Sequence, residues 1–165
     1  PNAELESERM ASKKAARMTP NPPKGKPLPG SLQELFALAK KSRERSYSPY
    51  SGFKVGAAIR LETGELFGGC NVENSSFGGT VCAERVAIQK AVSEKGPEIR
   101  IAEVLVITNE APAWPPCGIC RQVIAEFGYG AHIHSTNLAG EWKSTRMSEL
   151  LPDAFLPIHL KKREI

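Results

Sequence analysis

The apolar positions along this chain change period several times, and each change marks an element. Leu32, Leu35, Phe36 and Ala39 recur at helical spacing behind Ser31-Leu32-Gln33-Glu34, which has the form of a capping box. A helix over residues 32–45 is predicted, stopped by Ser48-Pro49-Tyr50-Ser51-Gly52. Phe53 to Leu61 and Leu66 to Val72 read as two strands around the turn Glu62-Thr63-Gly64-Glu65. Val81, Arg85, Ile88 and Val92 share one face, with Ala87 and Ala91 beside it, which predicts a second helix over 81–94, capped by Thr80 and ended by Gly96-Pro97. Ile101 to Thr108 is nearly all apolar, as a strand covered on both faces would be. A loop from Asn109 to Pro116 leads to a third helix over 117–127, ended by Gly128. Ala131 to Leu138 and Glu141 to Met147 predict two more strands joined at Ala139-Gly140, and Ser148 to Leu151 a short closing helix.

Helices interleaved with strands imply crossovers, hence an α/β fold: a mixed five-stranded sheet inside a three-layer α-β-α sandwich. At 165 residues the chain suits one domain with a proper core, expected over 31–160. Residues 1–30 read as a separate tail and linker: Met10 to Arg17 lacks a clear apolar face, and five prolines crowd residues 20–30. Residues 161–165 form a basic C-terminal tail.

Charge sharpens this division. The net charge is +4, yet residues 1–30 hold six Lys/Arg against three acids, and residues 161–165 three against one. The body between them is near neutral, whereas a nucleic-acid channel wants its positive charge on the folded surface, so nucleic acid is an unlikely partner. No apolar run approaches the roughly 20 residues of a membrane span. No secretory leader pattern is visible, which sets a cytoplasmic expectation.

Four cysteines remain to be explained. Cys70 sits in a predicted strand and is expected to pack as a small hydrophobe. Cys82, Cys117 and Cys120 fall at predicted helix starts, in Cys82-Ala83-Glu84 and Pro116-Cys117-Gly118-Ile119-Cys120. Helix N-termini carry unpaired N–H groups and partial positive charge, which favour the thiolates that bind zinc. Three thiols without an obvious fourth ligand suggest a catalytic zinc with one open position, and Glu84 beside them is placed to move protons. A redox dithiol or a structural zinc leaves Cys82 or Glu84 without a role. His132 and His134 alternate on one strand face, and nothing ties them to the thiols. Three thiolates and Zn²⁺ sum to −1, so Arg85 and Arg121 are expected to donate hydrogen bonds to sulfur.

These segments resemble the cytidine deaminase family, and zinc deaminases share this signature, including its three-Cys form. Ser48-Pro49-Tyr50-Ser51-Gly52-Phe53-Lys54-Val55-Gly56-Ala57-Ala58, Gly69-Cys70-Asn71-Val72-Glu73-Asn74 and Glu149-Leu150-Leu151-Pro152-Asp153-Ala154-Phe155 extend the resemblance over residues 31–156. It implies the small homotetrameric enzymes that deaminate cytidine and deoxycytidine, with one zinc per subunit on Cys82, Cys117 and Cys120. It further implies Glu84 as the general acid/base, Phe53 near the pyrimidine, Asn71 and Glu73 on the ribose hydroxyls, and the Ala83 backbone near the base carbonyl. Phe155, and Phe77 where the family often has Tyr, would act at a neighbouring subunit's site. The residues themselves agree about the sugar: Asn71 and Glu73 share one face of a strand end, and an amide with a carboxylate suits a vicinal diol. The competing readings are a deaminase of a cytosine-containing nucleoside antibiotic, a polynucleotide editor and a non-catalytic zinc-stabilised binding module.

Overall fold

The computed structural model describes residues 27–160. The expected tail over 1–30 and the basic end over 161–165 therefore lie outside the described residues, except for residues 27–30. Of these, Leu28 already packs against the core.

The elements are α1 (Gln33–Arg43), β1 (Gly56–Leu61), β2 (Leu66–Cys70), α2 (Ala83–Lys95), β3 (Ile101–Thr108), α3 (Gly118–Gly128), β4 (His132–Asn137), β5 (Trp142–Arg146) and α4 (Met147–Leu150). The sheet runs β2-β1-β3-β4-β5. β3 and β4 are parallel and the other neighbours antiparallel, so the expected mixed five-stranded sheet is present. Its two faces carry different cores. Leu32, Leu35 and Ala39 meet Ala58, Leu105 and Ile107 under α1. On the other face Ile59, Val104, Val106 and Ile133 meet Ala87, Ile88 and Ala91 of α2 and Ile124 of α3. The nearly all-apolar run of β3 follows from this double coverage, because it packs against helices on both faces.

Several element ends differ from the periodicity. Ser31-Leu32-Gln33-Glu34 does not form a capping box: Gly30–Leu32 is a 3₁₀ turn, and no side chain caps α1. The Ser31 carbonyl and the Glu34 carboxylate instead accept from the guanidinium of Arg60 on β1, which tethers the helix start to the sheet. Residues 53–55 precede β1 rather than belonging to it, and Val72 makes isolated bridges to Tyr47 and Val81 beyond the end of β2. Thr80 does not cap α2, whose N-cap is Cys82. Gly96, at φ +88°, ends that helix with its N–H on the Val92 carbonyl.

Two adjacent glycines set how closely the helices approach β2. A Cβ at Gly68 would lie 2.4 Å from Ser42 Oγ of α1, and one at Gly69 would lie 2.4 Å from the Ala83 carbonyl of α2. Successive strand residues face opposite sides, so this pair admits a helix on each face. Gly69 thereby seats the first turn of α2, the turn that carries Glu84.

Candidate active site

α2 and α3 place their N-termini side by side at one end of the sheet. Cys82 is the N-cap of α2, Cys117 the N-cap of α3, and Cys120 lies in the first turn of α3. The three sulfurs fall within 4.8 Å of one another, with Cys82 and Cys117 3.9 Å apart. A tetrahedral zinc with Zn–S bonds of about 2.3 Å holds its sulfurs about 3.8 Å apart, so donor type and spacing both suit zinc. This trio is the one metal-ligating cluster of three or more groups among the described residues. His132 and His134 are not part of it. Their rings stack 6.3 Å apart on β4, where His134 Nε2 lies 3.4 Å from a Glu103 oxygen.

The thiols are electrostatically unequal. The Cys82 thiol is pulled down to about 5, first by hydrogen bonding from Cys120 and then by the Arg85 guanidinium. Cys120, wholly buried, is pushed well above the ordinary thiol range by its bond to Cys82 and by burial. Hydrogen bonding from the Cys120 thiol and the Arg85 guanidinium thus favours the thiolate of Cys82, and binding zinc displaces thiol protons. Glu84 is 3% exposed, and burial raises its carboxyl from 4.5 to about 7. The next-largest influence, a hydrogen bond from its own backbone, pulls it back only in part.

A cavity of about 220 Å³ opens beside this cluster, lined by Ser51, Phe53, Val55, Asn71, Thr80, Cys82, Glu84, Val106, Thr108, Trp114, Pro115 and Cys117. It gathers five of the residues expected from the sequence: Phe53, Asn71, Cys82, Glu84 and Cys117. Ala83 is buried as the first residue of α2, so its N–H has no partner within the helix.

Other expected residues do different work. Arg85 donates from its Nη2 to the Thr80 carbonyl at 2.8 Å and reaches Cys82 Sγ at 3.8 Å. Arg121 corrects the expectation of a sulfur contact: its guanidinium donates to the carbonyls of Pro116 (2.8 Å) and Leu150 (3.0 Å), bracing the strap before Cys117 against α4. Asn71 is occupied by the protein. Its amide donates to the Phe53 carbonyl and accepts from the Val55 N–H, both at 2.9 Å, and it also accepts from the Ser46 hydroxyl. Glu73 accepts from the Tyr50 and Ser51 N–H groups and from the Ser51 hydroxyl, and this last bond leads in holding its carboxyl below the usual range. Both side chains therefore shape the loop that carries Ser51 and Phe53 to the cavity. Phe77 is 74% exposed with its ring edge-on to Tyr50, and Phe155 is 58% exposed beside His159, so neither lines this chain's own cavity.

The periodicity and the thiol motif passed over Ser51, Thr80, Thr108 and Trp114. For Trp114 a signal existed: a large aromatic residue in a polar and Pro-rich loop, three residues ahead of Cys117, has no core to fill.

Comparison with known proteins agrees with this geometry. Residues 29–136 match the family model described as the cytidine and deoxycytidylate deaminase zinc-binding region. A cytidine deaminase of Sporosarcina psychrophila is 48% identical over 125 residues, covering 75% of this chain and 90% of that protein. One from Halalkalibacterium halodurans is 44% identical over 124 residues, covering 74% and 92%. Among solved structures, the cytidine deaminase from Burkholderia pseudomallei superposes with a TM-score of 0.71 at 41% identity, covering 78% of this chain and all of that one. The one from Mycobacterium tuberculosis superposes at 0.65 and 36% identity, covering 74% and 94%. The chain belongs to the cytidine and deoxycytidylate deaminase zinc-binding family, and it is a zinc-dependent deaminase.

Proposed function

We propose that this chain hydrolyses the exocyclic amine of cytidine and deoxycytidine, taking up water and releasing ammonia to leave uridine and deoxyuridine. The observation that carries this reading is a cluster of three thiols, two of which line one cavity together with a buried carboxyl, Glu84. Cys82, Cys117 and Cys120 would hold the zinc, which supplies Lewis acidity toward water at neutral pH. Glu84 takes one proton from the attacking water and passes it to ring N3, then takes the remaining hydroxyl proton at C4 and delivers it to the departing amine, leaving the C4 carbonyl. One carboxyl thus serves as base and then as acid, and a carboxyl held near 7 by burial is suited to both. Arg85 stabilises the Cys82 thiolate. Phe53 packs against the pyrimidine, and the Ala83 N–H faces its carbonyl. Glu73 exchanges the Ser51 hydroxyl for a sugar hydroxyl, while Asn71 holds the loop that receives the sugar.

The functional unit is a homotetramer in this reading. A cavity of about 220 Å³ is smaller than the roughly 300–1,000 Å³ of enclosed small-molecule sites. Exposed Tyr47, Tyr50, Phe77 and Phe155 provide apolar surface that subunit contacts would bury. Phe77 and Phe155 would then wall a neighbour's site. No helix among the described residues is long and apolar enough to cross a membrane.

The test is ammonia release by zinc-loaded protein from cytidine, deoxycytidine, cytosine, dCMP and a short single-stranded oligonucleotide, with metal analysis and light scattering alongside. Turnover of the two nucleosides by a tetramer is expected. Zinc binding without ammonia release would leave a binding module, and preference for the oligonucleotide would make the chain an editor.

A further inference from the structure

One wall of the cavity belongs to none of the thiol, carboxyl or sugar-loop residues. Trp114, 37% exposed, stands at 64° to the ring of Phe53 with the two centroids 5.1 Å apart. Both rings line the cavity beside Pro115 and Cys117. A Trp left over a third exposed in a loop adds little to a core, and here it lines the same cavity as Glu84.

We propose that Trp114 is a specificity-determining residue that bounds the C5 edge of the pyrimidine and excludes bases carrying a C5 substituent. The inference rests on the nucleoside reading above and names which bases the site accepts. The orientation follows from the chemistry. The carbon that loses its amine, C4, must face the three sulfurs, and N3 must face Glu84 to exchange a proton with it. C4 has two ring neighbours, N3 and C5, on opposite sides. With N3 turned to α2, C5 turns toward the strap that leads into α3, which is Trp114, Pro115 and Cys117. An indole and a pyrrolidine ring meet it there, with the Phe53 ring closing the corner. A group on C5 would have to fit between these rings.

The experiment compares wild type, W114F and W114A, all zinc-loaded, on cytidine, 5-fluorocytidine, 5-methylcytidine and 5-bromocytidine. Calorimetric affinities for uridine and 5-methyluridine provide a readout independent of turnover. Wild type should discriminate against the 5-methyl base in kcat/KM by about 10–200-fold, the range for one methyl-sized group in an apolar pocket. It should tolerate fluorine, which is close to hydrogen in size. W114A should lose at least about tenfold of that discrimination, and W114F a smaller part, with the same order in the product affinities. Equal discrimination by wild type and both variants overturns the assignment, as does a wild type that takes 5-methylcytidine as readily as cytidine. W114F changes the wall without emptying it, so it decides the matter if W114A does not fold. A zinc-loaded wild type inert toward cytidine itself overturns the nucleoside reading, and the Trp114 assignment with it. Loss of discrimination at position 114 alone is compatible only with the assignment.

Discussion

Glu84→Gln keeps the shape of the side chain and removes its charge, so it separates what this carboxyl does for catalysis from what it costs the fold. Glu84 is 3% exposed, and burial lifts its carboxyl from 4.5 to about 7. That difference corresponds to about 3 kcal/mol against the ionised form in the folded chain. A carboxyl whose folded value is raised gives a stability that is whole below its unfolded value, near 4.5, and is lost as pH rises through about 7. At about pH 8 the zinc-stripped wild type carries the full cost and the amide carries none of it, so the variant should melt roughly 6–12 °C higher. Near pH 4.5 the two should converge. Zinc-loaded Glu84→Gln should keep its metal and lose at least about 10²–10⁴-fold in ammonia release. Differential scanning fluorimetry against pH, metal analysis and an ammonia assay read all three. A variant that melts no higher than wild type at about pH 8 refutes the burial cost, and one that keeps more than about a tenth of the rate refutes the proton-transfer role.

Cys117→Ala should lose both zinc and turnover while Glu84→Gln loses only turnover, and metal analysis after gel filtration distinguishes them. Arg85→Gln removes the guanidinium that reaches Cys82 Sγ at 3.8 Å, so that thiol should rise from about 5 and zinc should be lost more readily near pH 6 than near pH 8. Unchanged chelator competition at both pH values would sink this charge-offset role. Gly69→Ala places a methyl 2.4 Å from the Ala83 carbonyl and 2.5 Å from the Ala87 nitrogen. It should cost about 1–3 kcal/mol in urea unfolding and lower kcat by displacing the first turn of α2. His134 is buried beside Glu103 and stacked on His132, and burial holds it below its ordinary value of 6.5 although Glu103 pulls the other way. Below that value the unfolded chain takes up a proton that the folded chain resists, so stability should fall as pH drops below 6.5. His134→Asn should flatten that slope in urea titrations; an unchanged slope would show that other groups carry it.

Apolar spacing and turn residues together located the five strands and four α-helices of the described residues, because burial on a sheet face and burial under a helix select different spacings. Where the reading missed, a tertiary contact had overridden a local signal. Ser31 and Glu34 have the form of a capping box, but Arg60 on β1 engages the Ser31 carbonyl and the Glu34 carboxylate, and the turn becomes 3₁₀. Arg121 adjoins Cys120 in sequence, yet two backbone carbonyls capture its guanidinium. Asn71 and Glu73, which lie just past the end of β2, were legible as a polar pair at a strand end. Their hydrogen bonds to the loop over residues 46–55 were not, since those partners lie 16 to 25 residues away.

The chain by itself determined the chemistry available: three thiols at helix starts and one carboxyl two residues from the first. Only the tertiary structure decided how these groups meet. Cys82 and Cys117 are 35 positions apart in sequence and 3.9 Å apart in space because α2 and α3 begin side by side on one face of the sheet. Gly69 lets the first turn of α2 approach that sheet, and the same packing buries Glu84 deeply enough to hold its carboxyl near 7. A spacing in sequence can name ligands, but the proton affinity of a buried group depends on every neighbour that excludes water from it, and those neighbours are assembled only on folding.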